Sequence, residues 1–121
     1  MFQADFFQPI KSDILSKNIP VHLRDPNNHW FGLSKRARTI VYSSQRVRPS
    51  ELSTYEDLAQ PKWQDMLCLR TAKKVYNQSL VAMMINKDGA EETENIVKGW
   101  VQNLAHDPYN KDSEVIMAIY G

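Results

Sequence analysis

Tyr76 stands at a corner suited to chemistry. The apolar run Leu67-Cys68-Leu69 gives way through Arg70, Thr71, Ala72, Lys73 and Lys74 to a strong helix start at Val75-Tyr76-Asn77-Gln78-Ser79-Leu80. A strand-to-helix turn presents side chains and free backbone N–H groups at the open end of a sheet. Ligands of open α/β folds bind there, and the helix can hold an anion. On the residues alone, two readings of Tyr76 stay open. It is a partly buried tyrosine covering a helix end, or it is a hard oxygen ligand for a trivalent cation. A free tyrosine has a pKa of about 10. A bound metal ion is the largest local charge in its site and displaces the phenol proton at neutral pH. Oxygen donors suit hard cations.

Arg36 and Arg38 flank a strand start. They form a solvated, ion-paired face, or one of them grips a small oxyanion such as carbonate or phosphate with its guanidinium fork. The other chemistries find little support. His22, His29 and His106 lack the close pairwise spacing of a zinc site. No G-x-G-x-x-G or G-K-S/T loop occurs, which removes the usual nucleotide cradle. There is no G-x-S-x-G elbow either. Cys68 sits inside an apolar run with no local base, so it reads as a small hydrophobe and not as a nucleophile. Trp30, Trp63 and Trp100 read as packing residues. The chain is accordingly expected not to be an enzyme.

These residues must be held by an α/β framework. The pattern predicts a short extended segment over residues 4–10, then a helical turn from Ser12 to Lys17 with Ser12 as N-cap. Pro20, Pro26 and Asn27-Asn28 mark a loop from Asn18 to His29. Thr39-Ile40-Val41-Tyr42 predicts a strand over Arg38 to Ser43. Ser53-Thr54-Tyr55-Glu56 has capping-box spacing and predicts a helix over Thr54 to Ala59, stopped by Pro61. A second buried strand is expected over Met66 to Arg70.

Leu80, Val81, Met84 and Ile85 then recur at helical spacing up to Asp88-Gly89. Glu91, Glu92 and Glu94 favour the start of another helix. Its stripe is Ile96, Val97, Trp100, Val101 and Leu104, and Asp107-Pro108 closes it. A last helix is expected over Ser113 to Ile119.

The bulk numbers agree with a soluble globular chain. It has 121 residues, of which 42% are hydrophobic and 24% charged. With 15 basic and 14 acidic residues the formal net charge is +1. Such a balance gives no general reason to expect nucleic acid or an anionic membrane as partner. No apolar run approaches the roughly 18 residues of a membrane span. The first seven residues have no basic n-region and do not read as a signal peptide. Two strands and three helices do not close a doubly wound sheet, so a piece of a larger fold is expected.

Several segments resemble the periplasmic ferric-iron-binding proteins of ABC transporters. They are His29-Trp30-Phe31-Gly32-Leu33-Ser34-Lys35-Arg36-Ala37-Arg38-Thr39-Ile40-Val41-Tyr42, Pro49-Ser50-Glu51-Leu52-Ser53-Thr54-Tyr55-Glu56-Asp57-Leu58-Ala59, and Pro61-Lys62-Trp63. Cys68-Leu69-Arg70 and Val75-Tyr76-Asn77-Gln78-Ser79-Leu80-Val81-Ala82 continue the match. Words such as Tyr-Glu-Asp-Leu occur more widely among solute-binding proteins. The Tyr-Asn-Gln-Ser-Leu segment is what points to iron.

The resemblance implies part of a type II periplasmic-binding-protein fold with an incomplete two-lobed architecture. Residues 1–43 would be the end of the first lobe and the crossover strand, and residues 44–121 part of the second lobe. It implies Fe(III) as cargo, with a synergistic anion such as carbonate. Tyr76 falls on an iron ligand, Arg36 on the arginine that holds the anion, and His22 on a further donor. It also implies a monomer in the periplasm that delivers iron to a permease in the inner membrane, without inserting in the membrane itself.

An adjacent tyrosine pair central to the family's iron site would lie beyond Gly121, so the chain is expected to lack a complete site. In such proteins a turn glycine is common where Asp65 stands; Asp tolerates that geometry. A second cysteine is often present in relatives, and on that resemblance Cys68 lacks a disulfide partner. Two alternatives remain: a protein of the same fold for another cargo, such as phosphate-like anions or polyamines, and a truncated remnant without function.

Overall fold

Ser12 starts the first helix as its cap. In the computed structural model, which describes residues 6–120, Ser12 Oγ accepts the Leu15 N–H at 3.3 Å. Helix α1, Asp13–Asn18, carries Asp13 in its first turn and Lys17 in its last, both matched to the helix dipole. The chain divides into two compact units, Met1–Ala37 and Arg38–Gly121.

In the first unit, α1 is followed by a 3-10 turn over Val21–Leu23, entered through Pro20. An antiparallel bridge joins Arg24 to Phe31. The loop between them is organised by the Asp25 carboxylate, which is buried. It accepts the backbone N–H of Asn27 at 2.9 Å and of His29 at 3.2 Å, and meets His29 Nδ1 at 2.8 Å. The His29 partner and the two backbone donors hold the Asp25 carboxyl below the ordinary carboxylate range. Residues 6–10 take no regular structure, although Ile10 N–H bonds to Asn28 O. Residues 4 and 5 of the expected extended segment lie outside the described residues.

Among the described residues, the second unit holds three α-helices: α2, Val75–Asp88, α3, Ala90–Gln102, and α4, Asp112–Tyr120. Their extents match the sequence reading closely. Gly89 separates α2 from α3 at φ 91, a conformation that favours glycine, and its N–H closes α2 on Ile85 O. The core is Leu58, Trp63, Met84, Ile96 and Trp100. Met84 is 1% exposed, while Ile85, expected on the same face, is 45% exposed. Trp30 is exposed as well, so only Trp63 and Trp100 of the three tryptophans are core residues.

The expected strands turn out differently. Met66 to Arg70 forms no continuous ladder. It makes two isolated parallel bridges, Leu67 to Leu104 and Arg70 to Tyr109. The pairing is still made of good bonds: Leu67 N–H to Asn103 O at 3.0 Å, Ala105 N–H to Leu67 O at 2.9 Å, and Thr71 N–H to Tyr109 O at 2.8 Å. Helices α2 and α3 form the crossover that a parallel pairing requires. Arg38 to Ser43 is not a strand among the described residues, because no neighbouring segment pairs with its backbone. Ile40 nevertheless packs on the core.

The expected helix over Thr54 to Ala59 is a 3-10 turn, Glu56–Ala59. Thr54 Oγ1 accepts the Asp57 N–H at 3.4 Å, one position later than the Ser53–Glu56 spacing indicates. This turn is bound tightly to α3. Trp100 Nε1 donates to Tyr55 O at 2.8 Å, and Asn103 Nδ2 donates to Leu58 O at 2.9 Å and to Gln60 O at 2.8 Å. Gly99 lets the helix approach: a Cβ there would stand 2.6 Å from Ala59 Cβ and 2.8 Å from Ala59 O. Asp65 adopts φ 58, the left-handed turn geometry that a glycine would take more readily.

Candidate functional site

Tyr76 lies in the first turn of α2 and is 38% exposed, so its ring is not sealed in the apolar interior. The turn before it is shaped by side chains of α2. Asn77 Nδ2 donates to Arg70 O at 2.5 Å, and Gln78 Nε2 donates to Ala72 O at 3.1 Å. These bonds tie the end of the Leu67–Arg70 segment to the start of the helix. Among the described residues, the Tyr76 oxygen makes no hydrogen bond, which leaves it available as a donor atom.

Two guanidiniums lie over the Tyr76 ring. Arg38 Cζ is 4.7 Å from the ring centroid and Arg70 Cζ is 5.6 Å away. Both are within cation–π range. Both arginines also reach one carboxylate. Arg70 Nη1 donates to Asp112 Oδ2 at 2.8 Å, and Arg38 Nη1 to Asp112 Oδ1 at 3.4 Å. Arg70 Nε adds a bond to Asn110 O at 3.2 Å. The group is two cations to one anion around a phenol, a net positive balance that favours an anion close by.

Nearby, burial pushes the Tyr55 phenol above its ordinary range, and the charge of Arg38 opposes that shift. Among the described residues, the Tyr55 hydroxyl and Trp63 Nε1 are buried without a hydrogen-bond partner. Tyr55 packs against the core, and Trp63 is part of it. An apolar cavity of about 200 Å³ is lined by Ile40, Tyr42, Leu58, Trp63, Leu67 and Cys68. Tyr76 does not line it. Burial raises the Cys68 thiol, which suits an inert side chain.

The other expected site residues are placed elsewhere. His22 is exposed in the Val21–Leu23 turn, and Arg36 is exposed in a segment without regular structure. Both belong to the first unit, whereas Tyr76 belongs to the second. Among the described residues, no group of three or more His, Cys, Asp and Glu could hold a metal ion. A phenol-based site is outside that residue set.

Sequence reasoning did not identify Arg70 and Asp112. Arg70 carries a legible signal, since it ends the apolar run six residues before Tyr76. Asp112 carries none, because it is 42 residues from Arg70 and 74 from Arg38.

Comparison with known proteins places this geometry in context. The family described as bacterial extracellular solute-binding protein matches residues 1–114. Iron uptake protein A1 of Synechocystis sp. is 48% identical over 113 residues, covering 93% of this chain and 31% of that protein. The structure of the Trichodesmium protein (IdiA, FutA) in complex with iron and citrate ligands superposes with a TM-score of 0.86. It is 47% identical and is matched over 98% of this chain and 37% of its own. A ferric binding protein from Campylobacter jejuni gives a TM-score of 0.84 at 34% identity, over 94% of this chain and 36% of its own. The chain thus spans about a third of the length of the relatives it matches.

Proposed function

Because this chain belongs to the bacterial extracellular solute-binding protein family and has part of the α/β type II periplasmic-binding fold, we propose that it forms part of an Fe(III)-capturing protein in which Tyr76 supplies one ligand oxygen. The observation that carries this reading is the placement of Tyr76. It is half-exposed at a helix start, its oxygen has no competing hydrogen bond among the described residues, and two guanidiniums lie beside it. Support comes also from the relatives, which are named as iron uptake and ferric binding proteins. Those names describe capture and not turnover.

In this function Fe(III) is cargo. A hard trivalent ion takes oxygen donors, and a phenolate is among the hardest that a protein offers. A synergistic anion such as carbonate completes the coordination, held by the guanidinium of Arg36. His22 is the further donor assigned to the first unit. The intact protein works in the periplasm and hands iron to a permease of an ABC transporter, the two lobes closing over the ion. Residues 1–43 form the end of the first lobe with the crossover, and residues 44–121 part of the second.

The test is optical. Because the chain is expected to lack a complete site, titration with excess Fe(III) citrate should develop a weak visible phenolate-to-iron charge-transfer band in the wild-type chain. Tyr76→Phe should lose it. A band of unchanged position and intensity in that variant rejects Tyr76 as a ligand.

A further inference from the structure

We propose that Arg70, Arg38 and Asp112 are positioning residues for Tyr76: Asp112 holds the two guanidiniums over the ring and so fixes where the phenol oxygen points. The inference rests on the reading of Tyr76 as an iron ligand and adds the residues that orient it.

The geometry brings three separate segments to one ring. Arg38 comes from the irregular segment that opens the second unit. Arg70 comes from the end of the bridge-forming segment, and Asp112 from the first residue of α4. Arg70 is the fixed member. Its side chain is 15% exposed. Nη1 bonds to Asp112, Nε to Asn110 O, and its backbone carbonyl accepts from Asn77 in the first turn of α2. A lone surface ion pair is worth little, because two long side chains must be ordered for a screened attraction. Arg70 avoids most of that cost, since besides the ion pair its Nε and its backbone carbonyl are already bonded within the fold.

Arg38 is the adjustable member. Its 3.4 Å contact to Asp112 is long, yet its guanidinium is the nearer of the two to the ring. Without Asp112, the two like charges beside Tyr76 would repel and separate. The carboxylate bridges them, so both stay within cation–π distance of the same ring. Tyr76 has two torsions, and its aromatic torsion is broad and roughly two-fold. Contacts on the ring select one setting. A metal ligand needs that selection, because productive geometry is held within about 0.5 Å by residues around it.

The experiment uses the 121-residue chain and four variants: Asp112→Asn, Arg70→Met, Arg70→Lys and Tyr76→Leu. The first readout needs no metal. The Arg38 and Arg70 δ and ε protons should show upfield NMR shifts from the Tyr76 ring, and Tyr76→Leu, which removes the ring, calibrates its contribution. In Asp112→Asn the Arg38 shift should fall by about half or more while amide shifts in α3 stay in place. The second readout is the charge-transfer band with Fe(III) citrate. It should weaken several-fold and move in Asp112→Asn and Arg70→Met, with partial recovery in Arg70→Lys, which keeps the charge.

Unchanged arginine shifts in Asp112→Asn overturn the clamp. Collapsed shifts with an unaltered band overturn the positioning role. If the wild-type chain shows ring shifts but no band, the ligand reading of Tyr76 fails while the clamp stands. If it shows neither, both fail.

Discussion

Asn103 joins α3 to the Glu56–Ala59 turn, and replacing it with aspartate isolates that one connection. Asn103 is 3% exposed, and its Nδ2 donates to Leu58 O at 2.9 Å and to Gln60 O at 2.8 Å. Asn103→Asp keeps the shape and removes both donors. Each lost bond costs about 1 kcal/mol net. An ionised oxygen would then face two carbonyl oxygens in a buried site, and burial raises a carboxyl pKa by up to about 3 units. At about 1.4 kcal/mol per unit this adds about 3–4 kcal/mol at neutral pH, for a total near 5. Protonation relieves most of it, since a neutral carboxyl restores one donor.

The sign follows from linkage. The folded pKa lies above the unfolded value, so the folded variant holds its proton longer. The stability deficit of Asn103→Asp is therefore smallest in acid, below the unfolded pKa, and grows as pH rises toward the folded pKa. The assay is urea unfolding of both proteins from about pH 3.5 to about pH 7.5, followed by far-UV circular dichroism and tryptophan fluorescence, with equal slopes required. Asn103→Ala serves as the control and should lose about 2–3 kcal/mol with no added pH dependence. A deficit below about 1 kcal/mol, or one that does not change with pH, would show that the two carbonyls do not depend on this side chain.

Three other outcomes follow from particular contacts. Gly99→Ala should destabilise by about 1–3 kcal/mol despite the higher helix propensity of alanine, because the new Cβ meets Ala59 backbone and cannot be accommodated by a rotamer change; a rise in thermal midpoint would contradict the close approach. The Lys87 hydrogen bond, with help from local backbone and Thr54 contacts, lowers the Glu56 pKa to about 2. Its stabilising contribution is present above the unfolded carboxyl pKa and is lost as pH falls toward about 2, so Lys87→Met should flatten the acid limb of the stability–pH curve. At Asp65, where φ is 58, Asp65→Gly should match or exceed wild-type stability, while Asp65→Val should lose about 1–2 kcal/mol; equal stability of all three in chemical denaturation would contradict left-handed geometry at this turn.

By itself the sequence determined the helices and the corner at which Tyr76 stands. Ser12 caps α1, Gly89 divides α2 from α3, and α4 begins within one residue of its expected start. These features are legible because a helix closes its hydrogen bonds within a few residues, so caps and stops lie next to what they control. The quoted segments also identified the family, since they are local words in the chain.

Tertiary structure decided the rest. Thr39 to Tyr42 has strand-forming residues, yet a strand exists only when another backbone pairs with it, and composition cannot supply that neighbour. Leu67 and Arg70 found partners at Leu104 and Tyr109 only through the α2–α3 crossover. Which side of α2 is buried was also settled by packing, with Met84 sealed and Ile85 left outside. The surroundings of Tyr76 belong to the same class. Arg38, Arg70 and Asp112 come from three distant segments, and charge attraction acts through space without leaving any period or spacing in the sequence.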